Sequence, residues 1–447
     1  MFDLALVAPR AVLDGGERSC VIGVSDGRVA AIEPFGSELP ARETVRLTSG
    51  DVLLPGLVDT HVHINEPGRT EWEGFESATR AAAAGGVTTI VDMPLNSIPA
   101  TTALDALEQK RASAAGKTYV DVGFWGGAVP GNVDELAGMY EAGVLGFKAF
   151  LIDSGVPEFQ ALSDDDLLPA MTETARLGAV LLVHCEDARA IADAPASAGP
   201  SYEAFLRSRP PAAEEVAIRS VIAAARATGG RAHVVHLASS GALPDLRGAR
   251  AGGVDVTVET CPHYLTLEAS TIPDGATQFK CCPPIRGADN RDLLWDALIA
   301  GDIDMIVSDH SPCPAELKRL DSGDFGAAWG GIASLQLGLS LVWSEARSRD
   351  RSCGEVAEWM ARAPADRAGL SHKGRIAVGA DADLVAFDPN ATFVVDPARL
   401  LHRHPVSPNA GLELHGVVRR TWLRGEPVDV NGAPRGRLLH REEQGLS

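Results

Sequence analysis

Nowhere along the 447 residues does an apolar run approach the roughly 18 residues of a membrane-spanning helix. No two of the seven cysteines form a CxxC pair. An odd, unpatterned cysteine count argues against a disulfide framework and makes a reducing cytoplasm the expected compartment. Basic residues are in deficit, 40 against 60 acidic ones, so the formal charge is −20. That balance argues against nucleic acid or an anionic membrane surface as a partner. The opening stretch Met1-Phe2-Asp3-Leu4-Ala5-Leu6-Val7 has an early acid and no basic segment, unlike a secretory signal. There is no short internal repeat, and the glycines and prolines are scattered at turns rather than gathered in a low-complexity tract.

What is present suits a large globular chain. Hydrophobic residues make up 45 %, enough for a sizeable core with a smaller second unit beside it. Eight apolar, mostly β-branched runs lie between residues 52 and 308: Val52–Val58, Val87–Val91, Tyr119–Phe124, Val144–Phe150, Ala179–Val183, Ala232–Val235, Val254–Val258 and Ile303–Val307. Alanine- and leucine-rich stretches between them read as helices, among them Glu76–Ala84, Asp105–Ala115, Asp164–Leu177, Glu214–Ala227 and Arg291–Ala300. Continuous apolar strands alternating with helices predict a parallel sheet buried on both faces. Eight units predict an α/β fold, a closed (β/α)8 TIM barrel; the alternative is an open doubly wound sheet. The ends differ from the middle. Cys20–Val24 and Arg28–Ile32 flank Asp26-Gly27, a hairpin signal, and Gly374–Gly379 leads into the apolar run Leu384–Phe387. We therefore expect residues 1–53 and 374–447 to build one small β-sandwich domain around a barrel of residues 54–373.

Side chains able to do chemistry fall at the ends of the barrel runs. His61 and His63 stand two apart in Val58-Asp59-Thr60-His61-Val62-His63, so on a strand both rings share one face and can reach one cation. Alone, such a pair also fits two ordinary histidines. Lys148 lies inside Gly146-Phe147-Lys148-Ala149-Phe150. Burial there lowers its pKa and frees an amine that can take up CO2 as a carbamate, a bridge between two cations; a snorkelling lysine at the sheet edge is the bland alternative. His184, His236 and Asp309 close the fifth, sixth and eighth runs. Each is unremarkable singly, but their shared place at the C-terminal rim is where barrel enzymes keep their sites. His233, three residues before His236, reads as structural, and Cys281-Cys282 as a buried loop pair. Four imidazoles, one carboxylate and one carbamate suit two divalent ions, zinc first, with manganese, cobalt or iron as alternatives. Such a pair activates water, Asp309 is placed to move its proton, and the reaction class is hydrolysis of a C–N bond.

These residues, in this order, resemble the cyclic amidohydrolases, the family of dihydroorotases, hydantoinases (dihydropyrimidinases) and allantoinases. The likeness runs from Gly56 to the tail segment Gly379–Val385. It implies that His61, His63 and Asp309 hold one metal and His184 and His236 the other, with Lys148, as N6-carboxylysine, shared. It also implies a tetramer and a β-domain joining both chain ends. Asn65–Phe75, Asp92–Ser97, Cys261–Tyr264, Ser308–Pro314 and Ala328–Ile332 resemble the allantoinase branch. That branch implies opening of a hydantoin ring bearing a ureido arm; a hydantoinase acting on a related cyclic ureide is the alternative, and a metal-free scaffold a remoter one. Dihydroorotases carry Arg where this chain has Asn65, and hydantoinases a Tyr shortly after the lysine, absent from Phe150-Leu151-Ile152-Asp153-Ser154. Candidate substrate contacts are Asn65, Asn96, Cys282, Ser311 and Gly330. The charged stretch from Pro314 to Phe325 is a candidate mobile lid, or a plain surface loop.

Overall fold

The computed structural model describes residues 1–441; the last six residues of the expected C-terminal unit lie outside them. Eight parallel strands form the centre: β1 (Leu57–Val62), β2 (Val87–Asp92), β3 (Asp121–Phe124, resumed at Gly126–Gly127), β4 (Phe147–Phe150), β5 (Val180–His184), β6 (Arg231–Val234), β7 (Val256–Thr260) and β8 (Met305–Ile306). Each pairs with the next in order. The ring closes where Val62 bridges His310 and the His63 N–H donates to the His310 carbonyl at 2.8 Å. The Ser308 N–H adds a bond to the buried Asp59 carboxylate at 3.1 Å. A closed (β/α)8 barrel results.

Burial on both faces explains why these strands are runs of Val, Ile and Leu rather than alternating sequences: every residue of β1, β2 and β4 is buried. A helix follows each strand, from Phe75–Ala84 after β1 to Gly338–Ser348 after β8. Helix Asp164–Leu177 shows the local logic. The Ser163 hydroxyl accepts from the Asp166 N–H in a capping box, three aspartates sit in the first turn against the helix dipole, and Gly178 ends it at φ 69°.

One expected strand divides. The run Val52–Val58 reads as the first barrel strand, yet Val52–Pro55 pairs antiparallel with Leu384–Val394, and the barrel starts only at Leu57. The chain changes sheet at Gly56, whose N–H donates to the Asp383 carbonyl at 2.8 Å and whose missing side chain leaves room for Thr88. Apolar periodicity is blind to this, because both halves are buried.

Strands from both chain ends share an eight-stranded sheet: Glu426–Pro427, Glu413–Leu423, Leu384–Val394, Val52–Pro55, Phe2–Leu13, Gly16–Ser25 and Arg28–Pro34 in order, with Ala41–Arg46 also on Phe2–Leu13. The first strand slips register between Ala8 and Ala11. It carries Ala41–Arg46 on one half and Val52–Pro55 on the other, so the sheet folds over a core of its own around Leu6, Ile22, Leu384 and Trp422. Asp26 and Gly27 form the predicted hairpin turn, both at positive φ (51° and 78°). The buried Lys373 ammonium ties this unit to the barrel, contacting Asp121 of β3 at 2.6 Å, Asp383 at 2.7 Å and Asp381 at 2.9 Å. Arg424 reaches Asp121 at 2.6 Å as well. Three carboxylates close enough to hold a metal ion are thus already served by a lysine.

Candidate metal centre

His61 and His63 leave β1 on one face, as their spacing requires, and their Nε2 atoms stand 3.2 and 3.4 Å from Asp309 Oδ1. These three groups lie close enough to share one ion. Across the rim, His184 Nδ1 faces His236 Nε2 at 2.9 Å. The rings of His61 and His236 are 5.4 Å apart, so the two groups adjoin. Lys148 comes up from β4 fully buried. Among the described residues its Nζ has no hydrogen-bond partner, and it lies 5.0 Å from the centre of the Phe150 ring. All six residues are thereby brought to one place.

Backbone strain marks the same spot. His236 (φ 40°) and Asp309 (φ 45°), just beyond β6 and β8, adopt the left-handed conformation that side-chain-bearing residues seldom take. Holding them there turns both side chains inward at some cost, a pattern typical of working sites.

Burial sets the protonation states. It pushes His63 down to about 4 and lowers His184 and His236, so all three are neutral imidazoles at pH 7. Burial likewise brings Lys148 down to about 8, which leaves a fraction of free amine near neutrality. Burial opposes ionisation of Asp309, but His61, His63 and His236 outweigh it and hold the carboxyl below its usual range. Neutral imidazoles, an ionised carboxylate and a deprotonatable amine are the states in which these groups bind divalent cations. The orphaned Lys148 amine and the unpartnered His236 Nδ1, both buried, are polar atoms that a metal pair and its bridging group would satisfy. The residues present fit a metal pair.

A second layer fixes the rings. Glu259, at the end of β7, takes His61 Nδ1 on one oxygen at 2.5 Å and His233 Nε2 on the other at 3.0 Å. Glu186 Oε2 meets His184 Nε2 at 3.0 Å and Arg209 Nη1 at 2.5 Å. The Phe150 ring stacks on His184 at 4.4 Å and 10°. Sequence reasoning missed Glu259 and Glu186, although each carried the signal that exposed Lys148: a charge inside or directly after an apolar strand. His233 has the structural role expected of it, also bonding Thr257 Oγ1 at 2.7 Å.

The cluster opens into a cavity of about 550 Å³. Among the candidate substrate contacts, Asn96, Cys282, Ser311 and Gly330 line it, and Asn96 Nδ2 lies 3.4 Å from His63 Nδ1. Asn65 does not line it: it is buried at φ 67° and gives its amide to the Pro312 carbonyl at 3.4 Å. Cys281 is buried and Cys282 half-buried, both as free thiols. The stretch Pro314 to Phe325 is docked rather than loose. Phe325 is fully buried among Tyr202 and Phe205, its N–H bonds the Gly199 carbonyl at 2.9 Å, and the buried Lys318 holds backbone carbonyls of Trp329 and Gly331. Charge counted along the sequence hid these anchors, since Lys318 is satisfied by backbone and not by a carboxylate.

Residues 52–428 match the Amidohydrolase family. The chain is 53 % identical over 443 residues to the allantoinase of Streptomyces avermitilis, spanning 98 % of this chain and 99 % of that one. With the allantoinase of Saccharomyces cerevisiae it shares 44 % over 431 residues, 95 % and 92 % of the two chains. Its backbone matches the L-hydantoinase (dihydropyrimidinase) from Arthrobacter aurescens at a TM-score of 0.89 and 32 % identity, over 99 % and 98 %. Barrel, donor cluster and likeness agree over nearly the full length: the chain belongs to the amidohydrolase family.

Proposed function

We propose that this chain opens the hydantoin ring of allantoin by hydrolysis, giving allantoate, with the cluster at the C-terminal rim as its metal site. The substrate follows from full-length kinship to allantoinases. The observation that carries the chemistry is the buried, unpartnered Lys148 amine among three neutral imidazoles and an ionised Asp309. Two divalent ions, zinc in first place with manganese, cobalt or iron as alternatives, would be held by His61, His63 and Asp309 on one side and His184 and His236 on the other, with Lys148 between, and would supply activated water and an electrophile for the ring carbonyl.

The protein's own groups do the rest. The Lys148 lone pair attacks the carbon of CO2, an N–C bond forms as one C=O π bond opens, and one proton passes from the nitrogen to water, so N6-carboxylysine presents one negative charge shared by two oxygens where an ammonium would repel cations. Glu259 and Glu186 hold His61 and His184 by one ring nitrogen, leaving His61 Nε2 and His184 Nδ1 aimed inward. Asp309 accepts the proton of the attacking water at its carboxylate and returns it to the ring nitrogen as the C–N bond breaks. Side chains and backbone from Asn96, Cys282, Ser311 and Gly330 line the space where a neutral ureide would be held.

The assembly is proposed to be a homotetramer, to be read by light scattering. A cytoplasmic location suits seven cysteines that are all free thiols; among the described residues no helix is long and apolar enough to cross a membrane. Turnover of allantoin, hydantoin and dihydrouracil by the metal-loaded protein tests the substrate. We expect allantoin to lead by at least about tenfold in kcat/KM, the span that one well-placed polar contact supports. Preference for either of the others would replace this reading with that of a hydantoinase.

A further inference from the structure

Of the charges that line the cavity away from the donor cluster, Asp153 accepts from the Gly155 N–H at 3.0 Å and the two cations are engaged by other groups. Arg209 donates to Glu186 at 2.5 Å, and Lys280 Nζ donates to the carbonyls of Ala328 at 2.6 Å and Gly326 at 3.3 Å. Phe150 lies against His184, and Phe205 and Phe325 stack on each other at 5.8 Å and 17°. Trp329 is different. It lines the cavity half-buried, and among the described residues its side chain is engaged by no carboxylate or carbonyl that the cavity's other polar groups use.

This indole is held from several sides by the protein's own groups. Trp72 meets it edge to face, with ring centres 5.0 Å apart at 76°. Gly155, at φ 85°, passes so close that a β-carbon there would lie 3.4 Å from Trp329 Cη2. The Trp329 backbone N–H donates to the Leu317 carbonyl at 2.8 Å, and its backbone carbonyl accepts from Lys318 Nζ at 3.2 Å. The Arg69 guanidinium lies over Trp72 at 5.2 Å and pairs with Glu158, from the same loop as Gly155. The contacts close a ring: Gly155 to Trp329 to Trp72 to Arg69 to Glu158 and back. A wall so fixed in advance keeps the ordering cost of binding low.

We propose that Trp329, propped by Trp72, determines specificity: the planar, uncharged ureido arm stacks on this indole while the ring to be opened sits over the donor cluster. The inference rests on the ureide-hydrolase reading above and extends it to the arm. With Arg209 and Lys280 engaged, the described residues of the cavity lining offer no free cation to favour an anionic substituent. An aromatic face suits a flat, uncharged group such as a ureido arm, which can lie against it. Trp329 is then a substrate-contacting residue and Trp72 a positioning residue.

The test uses the full-length, metal-loaded protein with Trp329→Ala, Trp329→Phe and Trp72→Phe. Steady-state kinetics reads the KM and kcat of allantoin, titration calorimetry its Kd where turnover is absent, and competition the Ki of unsubstituted hydantoin, which has the ring and no arm. Trp329→Ala should raise the KM for allantoin, or its Kd where turnover is absent, on the order of 30-fold, the loss typical of truncating a central aromatic anchor. It should leave kcat and the hydantoin Ki within about threefold, since the ring's own contacts are untouched. Trp329→Phe keeps a flat ring and should lose less, and Trp72→Phe less again, both selectively for allantoin. If the alanine variant fails to fold, that selectivity in the phenylalanine variants carries the test. Equal losses for allantoin and hydantoin, or no change in either, would overturn the proposal. A wild-type protein that binds allantoin through Trp329 without opening it would sink the hydrolase reading and leave the wall standing. One that neither binds nor opens allantoin would sink both.

Discussion

Glu259 carries two buried imidazoles at once, one oxygen on His61 and the other on His233. Burial works against its charge, yet His61 and His233 bring its pKa down to about 2, so it is a fixed anion beside the donor cluster. Glu259→Gln keeps the shape but replaces one acceptor by a donor. We expect metal affinity to fall about 10–100-fold, as for other carboxylates behind a ligating histidine; a chelator titration that finds it unchanged would reject the role. Lys148 makes a sharper case. Lys148→Arg retains a cation where a carbamate is needed and should lose nearly all metal and turnover, whereas Lys148→Ala should regain part of its rate with added short-chain carboxylic acids. A fully active Arg variant would refute the bridge. At this scale the sequence was legible for residues whose type alone is anomalous in an apolar run. It was mute on Asn65, where an amide serves a turn as readily as a substrate.

Strand and helix order could be read from apolar runs because a barrel strand is buried on both faces and so keeps no polar side. Helix Asp164–Leu177 was legible to the residue, since Ser163 and Gly178 punctuate it. The passage from one sheet to the next at Gly56 was not, as nothing in Val52–Val58 distinguishes a strand of the end-formed sheet from one of the barrel. Space explains the glycine: a methyl group there would overlap Thr88 on β2. Gly56→Ala should therefore destabilise the protein by about 1–3 kcal/mol, the usual cost of overpacking a filled site. Denaturant unfolding checks this, and an unchanged midpoint would show that the junction has slack. The docking of Pro314 to Phe325 was hidden for a related reason: buried lysines held by carbonyls look, in sequence, like a solvated charge run.

Across the whole molecule the two ends of the chain meet, and the buried Lys373, with Arg424 beside it, fastens them to Asp121 of the barrel. Burial opposes the Lys373 charge, but Asp383, Asp121 and Asp381 together hold the ammonium above its ordinary range. Lys373→Met would leave the buried Asp383 without a cationic partner, while Asp121 keeps Arg424, and should cost about 3–5 kcal/mol, the penalty for removing one partner of a buried ion pair. Thermal unfolding of the metal-free protein reads that loss apart from any effect on the site, and an unaltered melting temperature would contradict it. The barrel itself could be foreseen by counting eight strand–helix units, and the convergence of six donors could be foreseen because a closed barrel brings its strand ends to one rim.

The direct measurement is anomalous diffraction from crystals grown with zinc and bicarbonate. The account predicts two strong peaks per chain, one beside His61, His63 and Asp309 and one beside His184 and His236, with carboxyl density extending from Lys148 Nζ between them. A bare ammonium at Lys148 and no peak within reach of the histidines would contradict it.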